Sequence, residues 1–180
     1  RQAIPTGIEN HTASDASPVE IIDYYQFVMG DYFETMGVPI VAGRSFEPAD
    51  AVSAGKVVIV NETLANRIWK GRSPIGQRVR PNLSAAIGFG DNDWATVIGV
   101  AKDVKQGGVE KETGSELYVS LDQLAMAPPR MNVLLRTTLP PAALSRTLEG
   151  LVREVDPTVP IVRLRDMESV FAESIRRPRL

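Results

Sequence analysis

Four consecutive β-branched residues, Val57, Val58, Ile59 and Val60, run straight into Asn61 and a segment with helical spacing at 62–69. So compact an apolar run reads as a buried strand. Asn61 carries a side chain suited to an N-cap, and Leu64, Ala65 and Ile68 share one face of the segment behind it. A strand that turns directly into an amphipathic helix restricts the chain to layers that mix sheet and helix. With 180 residues there is enough chain to bury a sizeable core without staples. The chain contains no cysteine, so neither a disulfide framework nor a thiol nucleophile is available.

Further elements follow from the same reasoning. Residues 1–20 are polar and read as an extended lead-in. The stretch 21–29, rich in β-branched and aromatic residues, reads as one strand. Asp31 and Glu34 have capping-box spacing for a short helix that Gly37 can close. Extended pieces are expected at 38–42, 77–80, 94–101 and 116–120, with a helical turn at 121–124. Residues 81–93 and 103–115 read as loops and, being exposed on a scaffold, as the expected contact surfaces. The last third reads as strand 131–136, a helix opened by Pro140 and Pro141, and strand 159–164. Leu144, Leu148, Leu151, Val152 and Val155 give that helix one apolar face. This is a βαβ pattern that places both strands in one sheet. Asp166 is positioned to cap a final helix through 174.

The chemistry of known sites is absent from the sequence. His11 is the single histidine, which excludes a histidine pair on a metal. Ser14 and Asp15 beside it supply triad residue types only as neighbours in the lead-in, not as groups fixed by a scaffold. Asp91 and Asp93 have a D-x-D spacing but lack the other calcium ligands. Gly71 to Gly76 has phosphate-loop spacing, yet Gln77 and Arg78 stand where Lys and Ser or Thr are needed. The net charge of −2 argues against a nucleic-acid partner. Catalytic, cofactor and metal residues are therefore expected to be none. No apolar run approaches the length of a membrane helix. Starting at Arg1, with no signal-like stretch, the chain reads as an excerpt.

Several stretches taken in order carry a resemblance. They are 32–46 (YFETMGVPIVAGRSF) with Asp50, 57–65 (VVIVNETLA), 74–79 (PIGQRV), 97–104 (VIGVAKDV), 116–120 (ELYVS), 156–161 (DPTVPI) and Met167-Glu168. Together they resemble the MacB-like periplasmic core domain of ABC-transporter permeases. The resemblance implies an α+β fold of two lobes, a porter-like lobe containing βαβ units and a smaller inserted mixed lobe. The inserted lobe would span 50–124, and 21–49 with 125–180 would form the porter-like lobe. It also implies a non-enzymatic domain on the extracytoplasmic, periplasmic side of the cytoplasmic membrane. Its partners would be flanking transmembrane helices and a cytoplasmic ATPase domain, with a periplasmic adaptor protein and a second copy as further candidates. The work expected of it is to couple ATP hydrolysis to export or extraction of a substrate by lobe movement. The alternative is a stand-alone extracytoplasmic binding or sensor module for a peptide or lipid.

Overall fold

A computed structural model describes residues 4–11, 19–52, 55–90, 92–105, 112–126, 128–161 and 163–176. The fold is α+β, and the chain divides into two compact units, 1–134 and 135–180.

The first unit is built on an eight-stranded sheet. Its strands are β1 (Ile4–Ile8), β2 (Val19–Ile22), β3 (Tyr24–Val28), β4 (Ile40–Gly43), β5 (Lys56–Asn61), β6 (Arg78–Pro81), β7 (Ala95–Ala101) and β8 (Glu116–Ser120). The order across the sheet is β2-β1-β6-β7-β5-β8-β3, and β4 pairs with β7. β5 and β7 are parallel, as are β3 and β8; the other pairs are antiparallel. Helix α3 (Glu62–Trp69) lies on the connection from β5 towards β7. Two shorter helices precede it, α1 (Tyr32–Met36) and α2 (Pro48–Val52).

Alternation along the strands divides the core in two. Val58 and Val60 of β5, Leu117 and Val119 of β8, and Val97 of β7 join Leu64, Ile68 and Trp69 of α3 in the larger cluster. Ile59 and Tyr118 point the other way, to a smaller cluster with Val28, Phe33 and Ala101. Phe33 meets Tyr118 edge-on with ring centroids 4.9 Å apart, which suits the positive edge and negative face of aromatic rings. β5 and β8 are thus covered on both sides, which is why the apolar run at 57–60 has no polar alternation.

The expected elements at 62–69 and 116–120 form with those bounds. Other expectations are corrected. The stretch 21–29 is not one strand: the chain bends at Asp23, so β2 pairs with β1 while β3 pairs with β8. Asp31 makes no side-chain cap. Its backbone carbonyl accepts from Thr35 instead, and no capping box forms. Gly37 does close α1 in the left-handed conformation, at φ 68°. The lead-in is extended, and its described residues belong to the sheet through β1 and the start of β2.

The second unit holds α4 (Pro141–Val155) and α5 (Met167–Arg176). Asp166 caps α5 as expected, accepting from Ser169 N at 2.6 Å. The strands expected at 131–136 and 159–164 do not form among the described residues; Val162 lies outside them. A strand is defined by a paired edge, and neither segment has one here. Met131, Val133, Leu135, Val159, Ile161 and Leu164 are exposed, Val133 at 79% and Val159 at 51%. The βαβ unit therefore reduces to its helix.

The antiparallel pairing of β4 with β7 leaves no room for a side chain at two glycines. β4 passes so close to β7 that an added Cβ at Gly99 would lie 2.3 Å from the Arg44 carbonyl oxygen. The corresponding atom at Gly43, where φ is 71°, would lie 2.1 Å from the Ile98 oxygen. Gly99→Ala is expected to destabilise the fold by about 2–3 kcal/mol through overpacking against backbone. Thermal unfolding followed by circular dichroism should show a drop of roughly 5–10 °C. An unchanged melting temperature would mean that the two strands can separate freely.

Candidate interaction surface and the polar locks behind it

A buried polar junction sits where β5 ends and β8 begins. Asn61 is fully buried. Its Oδ1 accepts from Leu64 N and from Glu116 N, both at 3.0 Å, and its Nδ2 donates to the Gly114 carbonyl at 2.8 Å. The N-cap read from the sequence is thus also a tie between two strands. Asp103, just beyond β7, accepts from Thr63 N at 3.0 Å and from Thr63 Oγ1 at 2.8 Å. Between them these two side chains satisfy donors in the first turn of α3. Asp23 accepts from both Ser115 N and Ser115 Oγ. Tyr118 donates its hydroxyl to Glu116 Oε2 at 2.9 Å. Burial and the neighbouring Glu116 push the Tyr118 hydroxyl well above the ordinary tyrosine range, so it stays protonated and keeps donating. Among the described residues, every buried side-chain nitrogen and oxygen has a partner. The junction is a structural lock with its hydrogen-bonding capacity used internally.

A second lock closes the segment after β4. Arg44 grips Asp50 with both guanidinium nitrogens, each at 2.8 Å, and Glu47 N donates to the same carboxylate at 2.8 Å. The Asp50 side chain is 7% exposed and that of Arg44 42%. The guanidinium holds the Asp50 carboxyl below its ordinary range, with the Glu47 hydrogen bond adding to the effect and burial opposing it. Both residues lie in the stretches that carry the family resemblance. The short helix α2 on which Asp50 sits was not anticipated.

The two expected contact loops differ from free loops. Residues 81–90 are pinned: Ser84 bridges Phe89, Phe89 is fully buried, and Lys56 Nζ lies 5.2 Å from its ring. Only the crest around Asn82 and 84–86 is exposed. The loop at 103–115 is anchored by Asp103 and Ser115, and 106–111 lie outside the described residues.

The remaining motifs have local roles. His11 pairs with Glu20 at 2.8 Å; Ser14 and Asp15 lie outside the described residues. Asp93 accepts from Gly90 N at 2.6 Å, and Asp91 lies outside the described residues. Gly71 and Gly76 take positive φ in the turn after α3, and Gly76 N donates to the Val97 carbonyl. An open cleft of about 320 Å³ lies between β4, the first turns of α3 and the turn at 71–74. No group of three or more His, Cys, Asp or Glu residues is placed to hold a metal among the described residues. Nor is any described helix long and apolar enough to cross a membrane.

A mixed sheet whose described buried polar side chains are all satisfied internally defines a class of α+β domain held together by polar locks. Residues 2–165 match the family model for the MacB-like periplasmic core domain, and the chain belongs to that family. It is thus a periplasmic domain of the MacB-like ABC-transporter permease family, on the extracytoplasmic side of the membrane. Among solved structures it is similar to the periplasmic region of MacB from Actinobacillus actinomycetemcomitans, at TM-score 0.58 and 14% identity. That match covers 98% of this chain and 73% of the other. It is also similar to a domain of a putative permease protein from Porphyromonas gingivalis, at TM-score 0.52 and 17% identity, over 96% of this chain and 64% of the other. No curated protein matches the chain.

Two outcomes follow for the locks. Asn61→Ala removes a cap and strands the Glu116 N–H and Gly114 carbonyl in the interior, and should cost about 3 kcal/mol in denaturant unfolding. Asp50 has a lowered folded pKa. Its contribution is therefore complete above the unfolded carboxylate range near pH 4 and fades as pH falls through the lower folded value. Asp50→Asn should lose about 1–2 kcal/mol at pH 7 and show a shallower decline between pH 5 and 2. Parallel declines in the two proteins would remove Asp50 from the acid response.

Proposed function

We propose that this domain couples cytoplasmic ATP hydrolysis to export or extraction of a substrate, by movement of its lobes with the transmembrane helices of the full-length permease. The domain itself performs no chemistry in this reading. Hydrolysis belongs to a separate ATPase domain, and the outer domain transmits displacement. A periplasmic adaptor and a second copy of the chain are its candidate partners on the outer side.

The observation that carries the reading is the division of a family member's chain into two compact units. Packed lobes shift as rigid bodies more readily than they deform internally, because close-packed cores resist continuous strain. The two polar locks fit the same role. They stiffen the sheet so that a push at one end need not be absorbed by local melting.

The parts expected to move are the inserted lobe, 50–124, and the porter-like lobe, 21–49 with 125–180. The chain has no cysteine, so paired labels can be introduced cleanly at exposed positions. Asn66→Cys on α3 and Arg146→Cys on α4 are suitable sites. Spin labels on this pair, in the full-length permease in nanodiscs, should give distance distributions that differ between nucleotide-free and ATP-trapped states. Identical distributions under conditions of active transport would defeat the coupling proposal.

A further inference from the structure

One face of the sheet carries an arginine–tryptophan cluster in which Arg78 has an internal ion pair and the Arg80 side chain has none among the described residues. On β6, Val79 points into the core beneath α3. Arg78 and Arg80, its neighbours in a two-residue alternation, therefore point to the opposite face. Register places Arg78 opposite Thr96 and Val79 opposite Ala95, which brings Trp94 alongside Arg80. Both guanidinium carbons lie 5.3 Å from the Trp94 ring centroid. On the other side Arg80 faces Gly7 of β1, where an added Cβ would come within 3.3 Å of Arg80 Nε. The missing side chain gives the arginine stem room to lie across the sheet.

The two arginines differ in what they have left to give. Arg78 meets Glu9 Oε1 at 3.3 Å. The Arg80 side chain is half-buried and makes no hydrogen bond or ion pair among the described residues. Stacking on indole supplies electrostatic attraction to the guanidinium but accepts none of its N–H groups. The planar edge of Arg80 thus keeps a fork of donors whose natural complement is a carboxylate.

We propose that Arg80, Trp94 and Arg78 form a docking spot for an acidic segment of a partner protein. A carboxylate is held by Arg80 in bidentate fashion, while Trp94 supplies the apolar contact beside it. Arginine and tryptophan together are the residue types that concentrate binding energy at protein interfaces. Charge also selects the occupant. An anionic bilayer surface is usually held by clusters of about 4–8 basic residues. Here there are two arginines, one already engaged by Glu9, which suits one or two carboxylates on a peptide. This inference is independent of whether the lobes move with ATP.

The test uses a fluorescein-labelled peptide of alternating Glu and Ala, its Gln counterpart, and phosphatidylcholine vesicles doped with phosphatidylglycerol. Fluorescence anisotropy should show binding of the Glu peptide, weakened by added salt, and none of the Gln peptide. Arg80→Gln should weaken binding by about fivefold or more. Arg80→Lys, which keeps the charge but loses the fork, should fall between that variant and the parent. Arg130→Gln, at an exposed arginine outside the cluster, should stay within about twofold. Melting curves matching the parent show that each variant is folded. Absence of Glu-peptide binding, or binding that Arg80→Gln leaves intact, overturns the proposal. Vesicle binding that Arg80→Gln abolishes, without peptide binding, overturns it in favour of a lipid surface.

Discussion

The buried amide of Asn61 settles how a strand covered on both faces can hand over to a helix without leaving orphaned backbone groups. Water has no access at that point, so each N–H and carbonyl released by the end of β5 needs a protein partner. One side chain meets three such demands: a donor in the first turn of α3, the N–H of Glu116 at the start of β8, and the carbonyl of Gly114 two residues earlier. The direction in which α3 leaves the sheet depends on this. So does the point at which the chain returns as β8, beside β5. Asp103 and Asp23 extend the arrangement to the exit of β7 and the entry of β3. The ends of four strands are therefore tied by side-chain amides, hydroxyls and carboxylates rather than by apolar contact alone.

The faces of the sheet serve different purposes. The larger apolar cluster lies beneath α3, and the smaller one is closed by α1 and the aromatic contacts of Phe33 and Tyr118. Towards β6 and β1 the second face loses its cover and becomes polar, and there Arg78, Arg80 and Trp94 emerge. Buried polar side chains are paired among the described residues, while the crest around Asn82 and 84–86 is exposed. The surface proposed above is built from Arg78 and Arg80 of β6 and from Trp94 just before β7. The loop at 81–90 is tied down by the burial of Phe89.

Local signals read well where one short segment contained the whole cause. The run 57–60, the cap at Asn61, the helix behind it, the left-handed Gly37 and the Asp166 cap each need only neighbours in sequence. Reading failed where a partner far away decided the outcome. The apolar stretch 21–29 has the composition of one strand, yet the bend at Asp23 divides it between opposite ends of the sheet order. Residues 131–136 and 159–164 have strand composition and no paired edge. The polar lead-in gave little sign that Ile4–Ile8 would pair with both β2 and β6. Arg44 and Asp50 could be quoted from the sequence as parts of a family pattern, but their bidentate contact depends on α2 and on the pairing of β4 with β7.

By itself the sequence determined the chemical character of the protein: no cysteine, one histidine and no nucleotide or metal pattern. It also carried the ordered stretches by which the family is recognised. These are properties of residue identity and short spacing, which need no folding to be read. Tertiary structure alone decided which strands are neighbours, since a ladder pairs residues as far apart as Tyr24 and Glu116 and many registers satisfy the same alternation. It also decided that Arg80 would lie between Gly7 and Trp94. That cluster exists because β1, β6 and β7 come together in one register, a condition that no single segment encodes.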